Sequence, residues 1–288
     1  MPCYHPIKAW YSKEKNESGK RSLVFKEKQG YGSELEVPCQ KCIGCKLEYS
    51  RQWAIRGVHE AQMHEEAYFL TLTYADENLP QYESLKKDDF QNFLKRYRKY
   101  LEPIKIRYIM CGEYGDNSDR PWEPNLLGRP HYHAIIYGHE FRDLTEIHKS
   151  HSGEPQYTSE TLQKLWPHGF VTIGTVNFNS IAYVARYVTK KINGDQQESH
   201  YQKISMDTGE LYPVLPEYGT QFRKPGIGYT WYQKYKNDCR KDYININGAK
   251  VKPPKYYDNF REEDDPDLME VTKLNRAECP NRKRRTTS

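Results

Sequence analysis

Apolar and polar residues alternate over short stretches of this chain, whereas elsewhere apolar residues recur every three to four positions. Alternation predicts a strand with one buried face, and the longer period predicts an amphipathic helix, so the mixture is typical of an α+β protein. A polar, proline-containing loop joins two of the predicted strands, which we expect to pair as a hairpin. The predicted strands cover residues 69–74, 106–111, 131–137 and 170–176, and the predicted helices cover residues 46–65, 88–101, 159–166 and 180–192.

The same pattern divides the chain of 288 residues into four parts. Residues 1–65 form a cysteine-containing N-terminal element that we expect to pack on the core, and residues 66–195 carry the strongest strand and helix patterns. Beyond residue 195 the pattern weakens, so residues 196–260 are interpreted as an accessory region. Residues 261–288 are highly charged and are predicted to form a flexible tail.

Two histidines on one predicted strand suggest a metal site. His131 and His133 lie two residues apart, so both side chains point to the same face of the strand and can hold one metal ion. Glu113 is the best candidate for a third ligand, because it ends the neighbouring strand on the matching face. Two imidazoles and one carboxylate suit Mn²⁺ or Mg²⁺ and leave positions open for phosphate and water. Taken alone, the pair also fits two surface histidines that hold no metal.

Two tyrosines, Tyr183 and Tyr187, lie one turn apart on the predicted helix 180–192. The apolar residues of this helix fall on one side, and both tyrosines fall on roughly the opposite side, beside Lys190 and Lys191. This position favours a function, and the alternative is a pair of surface tyrosines that cover a neighbouring element. A free tyrosine has a pKa of about 10 and is a poor nucleophile at neutral pH. An ammonium group from Lys190 or Lys191 would favour the phenolate and could hold a phosphate oxygen.

A cluster of cysteines near the N-terminus suggests a second metal site. Cys39, Cys42 and Cys45 are separated by two residues each, and Cys3 is the obvious fourth thiolate, with His5 as a substitute. Four ligands of this type form a closed tetrahedral zinc site. The alternative is a loop of thiols without a ligand. The chain has seven cysteines, and this odd number argues against a disulfide scaffold.

Charge and composition narrow the class of protein only slightly. The net charge is +5, with basic residues concentrated at 95–99, 190–191 and 282–285, where they would attract a polyanion or form a solvated helix face. The 25 tyrosines suit either base stacking or a tyrosine-rich core. No apolar stretch is long enough to cross a membrane and no signal peptide pattern is present, so we expect a cytosolic protein.

The candidate metal site and the tyrosine pair together favour one chemistry. A metal ion that polarises a phosphate beside two phenolic nucleophiles is suited to cutting and rejoining a DNA strand through a covalent protein–phosphate bond. Two alternatives remain open. One is a zinc-stabilised protein that binds single-stranded nucleic acid without catalysis. The other is a metal-dependent phosphohydrolase that uses water, in which both tyrosines are structural.

The motifs occur in an order that resembles the HUH endonucleases, in which two histidines flank a hydrophobic residue and a tyrosine motif lies downstream. Tyr132 takes the middle position here. Residues 69–74, 128–133 and 183–191 look like the three motifs of that family, the last in its two-tyrosine form. With residues 1–6, 39–45, 111–115 and 191–194, the chain is similar to the replication initiators of gokushovirus-type microviruses, which are small phages with circular single-stranded DNA.

The resemblance implies a central antiparallel sheet of about five strands, with the histidine strand in the middle and helices around it. It implies a nick in single-stranded origin DNA, a 5′-phosphotyrosine bond, rolling-circle synthesis and a second tyrosine that closes the circle. The implied partners are the viral origin DNA and a host helicase and DNA polymerase, without a membrane, in the cytoplasm of the bacterial host. The residues expected to contact DNA are Arg129, Arg186, Lys95 and Arg96.

Overall fold

The structure is a computed structural model that describes residues 3–17, 21–115, 127–150, 153–190, 197–205 and 208–278. For residues 188–190, 277 and 278 it describes the backbone alone. The strands within these ranges are β1 (Ile7–Lys15), β2 (Arg21–Val24), β3 (Gly30–Val37), β4 (Ala67–Thr73), β5 (Arg107–Tyr114), β6 (Pro130–Tyr137), β7 (Leu144–Lys149), β8 (Pro155–Ser159), β9 (Val171–Thr175), β10 (Gln202–Ile204), β11 (Leu211–Pro213), β12 (Tyr218–Gln221), β13 (Ile244–Ile246) and β14 (Ala249–Val251). The α-helices are α1 (Ile43–Ala61), α2 (Lys87–Leu101), α3 (Glu160–Leu165), α4 (Phe178–Lys190), α5 (Gln197–His200), α6 (Tyr229–Tyr235), α7 (Lys255–Asp264) and α8 (Pro266–Glu278).

The chain divides into two compact units, Met1–Arg51 and Gln52–Ser288. The first unit contains a three-stranded antiparallel sheet with the order β2-β1-β3. The hydrophobic pattern does not predict these strands, because most of their residues are exposed and many are charged. The division after residue 51 falls earlier than the predicted boundary at residue 65.

A seven-stranded antiparallel sheet with the order β12-β5-β6-β4-β9-β8-β7 forms the centre of the second unit. The α+β class and the antiparallel sheet flanked by helices are therefore confirmed, but the predicted size of about five strands is wrong. Strand β12 joins the sheet from the region that was interpreted as accessory. Strand β7 has little apolar periodicity because it is mostly exposed, and its sequence does not predict a strand.

The two faces of this sheet pack against different helices. Tyr132, Ala134 and Ile136 of β6 face a core formed with α2, α3 and Trp166. The opposite face carries Ile135 and Tyr137, and these residues pack against apolar residues of α4. The alternation predicted for residues 131–137 is therefore present, and β6 lies inside the sheet between β5 and β4.

Helices α1 and α4 pack closely together over the second face. A Cβ atom at Gly57 of α1 would lie 2.5 Å from Ile181 Cγ2 of α4 and 3.0 Å from the hydroxyl of Tyr137. Ile181 and Val184 are fully buried, so this contact fixes the height and rotation of α4 above the sheet.

The C-terminal residues 261–278 form helices rather than the predicted flexible tail. Met269 of α8 is buried, and Arg261 of α7 forms ion pairs with Asp242 and Asp258 at 3.2 Å and 2.9 Å. Arg276 of α8 pairs with the same two carboxylates. The two arginines of this segment thus pair with carboxylates that precede it in the chain. Residues 279–288, with the basic run 282–285, lie outside the described residues. None of the helices in the described ranges is both long and apolar enough to cross a membrane.

The packing of α1 on α4 predicts the effect of Gly57→Ala. Alanine gains about 1 kcal/mol of helix propensity over glycine, but overpacking a buried site costs about 1–3 kcal/mol. Because the alanine Cβ would lie 2.5 Å from a fully buried Ile181, we expect a net loss in the free energy of unfolding, measured by urea denaturation. Gly115→Ala is the control, since a Cβ there meets its nearest neighbours at an ordinary 3.6 Å. Equal stability of both variants would contradict this packing.

Candidate active site

The register of three neighbouring strands brings two histidines and a glutamate together. Glu113 of β5 lies opposite His131 of β6, and His133 of β6 lies opposite Thr71 of β4. Residues paired across antiparallel strands project their side chains to the same face. Glu113 Oε1 is 3.0 Å from His131 Nε2 and 2.8 Å from His133 Nε2.

Both imidazoles are oriented through their second ring nitrogen. His131 Nδ1 lies 3.2 Å from the carbonyl oxygen of Arg129, and His133 Nδ1 lies 3.0 Å from Thr71 Oγ1. The ring of Phe69 stacks on His133 with a centroid distance of 5.2 Å. A partner at Nδ1 leaves Nε2 as the coordinating atom, which is the usual arrangement around a metal-binding histidine. Thus Nε2 of both rings points at Glu113.

The donor set fits a divalent cation. One ligand atom from each of Glu113, His131 and His133 lies within 4.8 Å of the others. Glu113 is only 1% exposed, and its Oε2 atom is buried without a hydrogen-bond partner among the described residues. Burial raises the pKa of Glu113, but hydrogen bonds with the two histidines lower it more, so the net pKa lies below the usual carboxyl value. An ionised carboxylate beside two imidazole nitrogens offers the mixed oxygen and nitrogen ligands of Mn²⁺ or related ions.

Both tyrosines of α4 reach this group of residues. The Tyr183 hydroxyl donates a hydrogen bond to Glu113 Oε1 at 3.3 Å, and the Tyr187 hydroxyl donates to the Tyr183 oxygen at 2.8 Å. The Tyr183 ring also contacts His133 edge to face, with 5.1 Å between centroids. Burial, the charge of Glu113 and the hydrogen bond with Tyr187 raise the pKa of Tyr183. This phenol therefore keeps its proton in the present structure.

The tyrosines are less exposed than their position on the helix predicts. Tyr183 and Tyr187 are both half-buried, because their long side chains turn from the flank of α4 towards the sheet. The helical period correctly predicted that Ile181 and Val184 are buried. It could not show how far a phenol ring reaches.

The other residues with a predicted role are divided between the two faces of the sheet. Arg129 lies at the edge of the histidine pair, where its guanidinium pairs with Asp76 and donates to the Tyr74 carbonyl oxygen at 2.8 Å. Arg186 is exposed on α4. Lys95 and Arg96 belong to α2, which packs against the opposite face, and Arg96 Nε donates to the Leu165 carbonyl oxygen at 2.9 Å. The structure does not bring these two residues to the site. The Lys190 side chain and all of Lys191 lie outside the described residues.

Two residues that orient the histidines were missed as site residues. Thr71 and Phe69 belong to the predicted strand 69–74, and their alternation with Leu70 and Leu72 shows that they share one face. The sequence could not show that this face carries the histidines, because strand order and register depend on contacts between distant residues.

The four predicted cysteine ligands also converge, within the first unit. The sulfur atoms of Cys3, Cys39, Cys42 and Cys45 lie within 4.8 Å of one another, and none of the four forms a disulfide. The backbone N–H of Cys39 donates to Cys3 Sγ at 3.3 Å, that of Cys42 to Cys39 Sγ at 3.4 Å, and that of Tyr4 to Cys42 Sγ at 3.4 Å. Hydrogen bonds of this kind stabilise negative charge on sulfur.

The protonation of the cluster depends on these contacts. Hydrogen bonds from the backbone lower the pKa of Cys42 to about 6 and also lower that of Cys39. Burial and, to a smaller extent, hydrogen bonds with neighbouring thiols raise the pKa of Cys45 to about 12. A cation that binds here would have to displace the proton of Cys45. His5, the substitute ligand, does not belong to this cluster of four cysteines.

Comparisons with known proteins identify the family of this chain. A family model described as replication-associated protein ORF2/G2P matches residues 67–192, which run from β4 to just beyond α4. The replication-associated protein VP4 of Bdellovibrio phage phiMH2K is 32% identical over 277 residues, which cover 93% of this chain and 79% of that protein. The chain belongs to the phage replication-associated proteins.

Two further members of this family are similar over shorter segments. The replication-associated protein ORF2 of Spiroplasma virus 4 is 32% identical over 238 residues, which cover 78% of this chain and 68% of that protein. The replication-associated protein ORF4 of Chlamydia phage 1 is 33% identical over 163 residues, which cover 54% of this chain and 38% of that protein. A comparison with solved structures gave no significant match. The resemblance to phage replication proteins noted in the sequence is confirmed by these relatives.

The hydrogen bond between Thr71 and His133 predicts a specific loss in Thr71→Val. This variant keeps the shape of the side chain but removes the partner of His133 Nδ1, and loss of such a partner typically weakens metal affinity by about 10- to 100-fold. Titration with Mn²⁺ in a calorimeter measures the change directly. Thr73→Val is the matched control, because Thr73 Oγ1 donates to the Phe170 carbonyl oxygen and not to a histidine nitrogen. Equal affinity of both variants would show that Thr71 does not orient the ligand.

Proposed function

We propose that this replication-associated protein is an HUH-type nuclease that nicks and rejoins single-stranded origin DNA to initiate rolling-circle replication. The observation that supports the proposal is the continuous hydrogen-bonded chain from Tyr187 through Tyr183 to Glu113, with distances of 2.8 Å and 3.3 Å. Two phenols in contact with a carboxylate and a histidine pair are arranged for transfer of a phosphate to tyrosine oxygen.

The residues Glu113, His131 and His133 would hold the catalytic metal, for which Mn²⁺ or Mg²⁺ is our expectation. When bound, such an ion polarises the scissile phosphate and stabilises the charge that develops in the transition state. The Oε2 atom of Glu113 is buried and has no hydrogen-bond partner within the part of the chain that the structure describes. It supports this assignment, because a buried carboxylate oxygen is costly unless another group satisfies it.

The reaction itself would be carried by the tyrosines. The oxygen of one tyrosine forms a bond to the phosphorus atom while the bond from phosphorus to the 3′ oxygen breaks. The phenol loses its proton, and the departing 3′ oxygen gains one, so the products are a 5′-phosphotyrosine and a free 3′ hydroxyl. The reaction exchanges one phosphate ester for another, so rejoining requires no nucleotide hydrolysis. Lys190 or Lys191 would supply a cation for the phenolate or the phosphate.

The second tyrosine explains how one active site could act twice. While Tyr183 or Tyr187 is linked to the 5′ end, the other tyrosine remains beside it, since the two phenol oxygens lie 2.8 Å apart. After a round of synthesis it can attack the regenerated origin, and the free 3′ hydroxyl then attacks the first phosphotyrosine to close the circle. In this scheme a host DNA polymerase extends the 3′ hydroxyl and a host helicase separates the strands.

We infer a separate structural role for the cysteine cluster. Cys3, Cys39, Cys42 and Cys45 would hold one Zn²⁺ through four sulfur ligands, as in closed structural zinc sites. The N–H groups directed at Cys3, Cys39 and Cys42 support this role, since they stabilise thiolates before the metal binds.

The nicking proposal predicts a covalent adduct. Incubation of the protein with viral single-stranded origin DNA and Mn²⁺ should give a protein–DNA species that survives boiling in detergent. Tyr183→Phe with Tyr187→Phe should abolish this species, because no phenol oxygen remains, whereas each single variant should keep partial or one-round activity. Gel electrophoresis followed by peptide mapping of the attached nucleotide measures both outcomes.

Two controls separate the alternatives for this prediction. Tyr100→Phe removes a hydroxyl from α2, on the opposite side of the sheet, and should leave the adduct unchanged. His133→Ala should lose cleavage but keep DNA binding. If the double phenylalanine variant still cleaves the DNA, water is the nucleophile and the protein is a phosphohydrolase. If the wild-type protein binds the DNA but never cleaves it, the protein is a binding module without catalysis.

The zinc proposal predicts a stoichiometry of one metal ion per chain. Elemental analysis of the purified protein should find this zinc, and Cys39→Ala should lose most of it because three sulfur ligands bind Zn²⁺ more weakly than four. Cys239→Ala is the control, since Cys239 is buried in an apolar core of the second unit and is not one of the four proposed ligands. Absence of zinc from the wild-type protein, or equal zinc in both variants, would refute the assignment.

A further inference from the structure

We propose that Phe170 forms a subsite that stacks on a base of the single-stranded DNA, next to the phosphate that would bind a metal ion held by Glu113, His131 and His133. This inference rests on the proposed function, because it assumes that single-stranded DNA occupies the site.

The sheet register aligns Phe170 with the metal ligands. The N–H groups of Phe170 and Thr73 each donate to the carbonyl oxygen of the other at 3.0 Å, which is the bonding of directly opposed antiparallel residues. Thr73 in turn lies opposite His131, and His131 lies opposite Glu113. Phe170, Thr73, His131 and Glu113 therefore form one row across four neighbouring segments, with side chains on the same face.

The alternation of β9 agrees with this assignment. Val171 and Ile173 are buried in the core on the α2 side of the sheet. Phe170 and Thr172 precede and separate them, so their side chains point to the histidine face. Thr172 also lies opposite Thr71, which contacts His133. Neighbouring strands are about 4.8 Å apart, so Phe170 lies roughly 10 Å from His131 along the row.

The backbone at Phe170 is held rigidly although its ring is exposed. A Cβ atom at Gly169 would lie 2.3 Å from the backbone nitrogen of Ala75, so only glycine permits this close approach to the end of β4. The side-chain amide of Gln163 also donates to the Gly169 carbonyl oxygen. The Phe170 side chain nevertheless is 66% exposed. Because the backbone is already fixed, a ligand that stacks on the ring has to restrict only the rotation of the side chain.

The surroundings favour a nucleobase over an apolar protein partner. The neighbours of Phe170 on this face, Thr73 and Thr172, are small and polar, so the ring is a single apolar platform and not part of an extended apolar patch. Stacking of one base requires only one ring face, and threonine hydroxyls are suited to contacts with phosphate or sugar.

The test measures affinity for a fluorescein-labelled single-stranded oligo(dT), by anisotropy, in a Tyr183→Phe/Tyr187→Phe background with Mn²⁺ so that the strand stays intact. Base stacking on an aromatic side chain is typically worth enough to make Phe170→Ala bind about 5- to 100-fold more weakly. Phe170→Leu should lose a similar factor, whereas Phe170→Trp should restore binding, because stacking requires an aromatic ring and not apolar volume. Tyr100→Ala, which removes a ring that is 57% exposed on α2, should have no effect.

A second measurement identifies the contact as stacking. A 2-aminopurine base placed at successive positions of the strand should be quenched strongly at one position, and Phe170→Ala should abolish the quenching at that position alone. Unchanged affinity in Phe170→Ala, or equal rescue by leucine and tryptophan, would overturn the subsite. Failure of the nicking proposal is distinguishable, because it appears as a missing adduct in the wild-type protein, whatever Phe170 contributes to binding.

Discussion

The alignment of β5, β6 and β4 is the constraint on which the candidate site depends. The pairing of Glu113 with His131 and of Thr71 with His133 places a carboxylate, two imidazoles and an orienting hydroxyl in adjacent rows. A shift of one residue in either pairing would turn those side chains to the α2 face, because side chains alternate along a strand. The large apolar core on the α2 side resists such a shift, since it would expose Tyr132, Ala134 and Ile136. The apolar core on one face of the sheet therefore fixes the positions of the site residues on the other face.

Two buried glutamates differ in the groups that balance their negative charge. Glu60 is 0% exposed and is held by the Arg107 guanidinium and by the N–H of Gly228, so a cationic side chain of the protein balances it. Glu113 is buried to nearly the same extent, yet no lysine or arginine pairs with it in the part of the chain that the structure describes. A buried carboxylate without a fixed cation is costly unless a ligand supplies the charge. This contrast supports the proposal that Glu113 binds a cation.

Local periodicity predicted those parts of the site that depend on neighbouring residues along one strand or helix. The shared face of His131 and His133 follows from their spacing of two residues, and the proximity of Glu113 follows from a simple hairpin between β5 and β6. Features that depend on distant contacts were not predictable in this way. The basic face of α2 was expected to serve DNA binding, but only the tertiary structure shows that α2 packs on the other side of the sheet from the histidines. Likewise, the charges of α7 and α8 suggested a solvated tail because their pairing with Asp242 is not visible in sequence.

The chemistry of the two donor sets argues that the protein can hold two different metals without competition. The cluster in the first unit offers four sulfur atoms, and the cluster in the second unit offers one carboxylate oxygen and two imidazole nitrogens. Soft thiolates select Zn²⁺ over Mn²⁺ and Mg²⁺, whereas a carboxylate with open positions accepts the harder ions and leaves room for phosphate. The sulfur set is closed once four ligands bind, so it provides no position for a substrate. Because the second set contacts Tyr183, the proposed strand transfer is expected to follow the metal content of that site. The cysteine cluster is expected to affect the stability of the first unit.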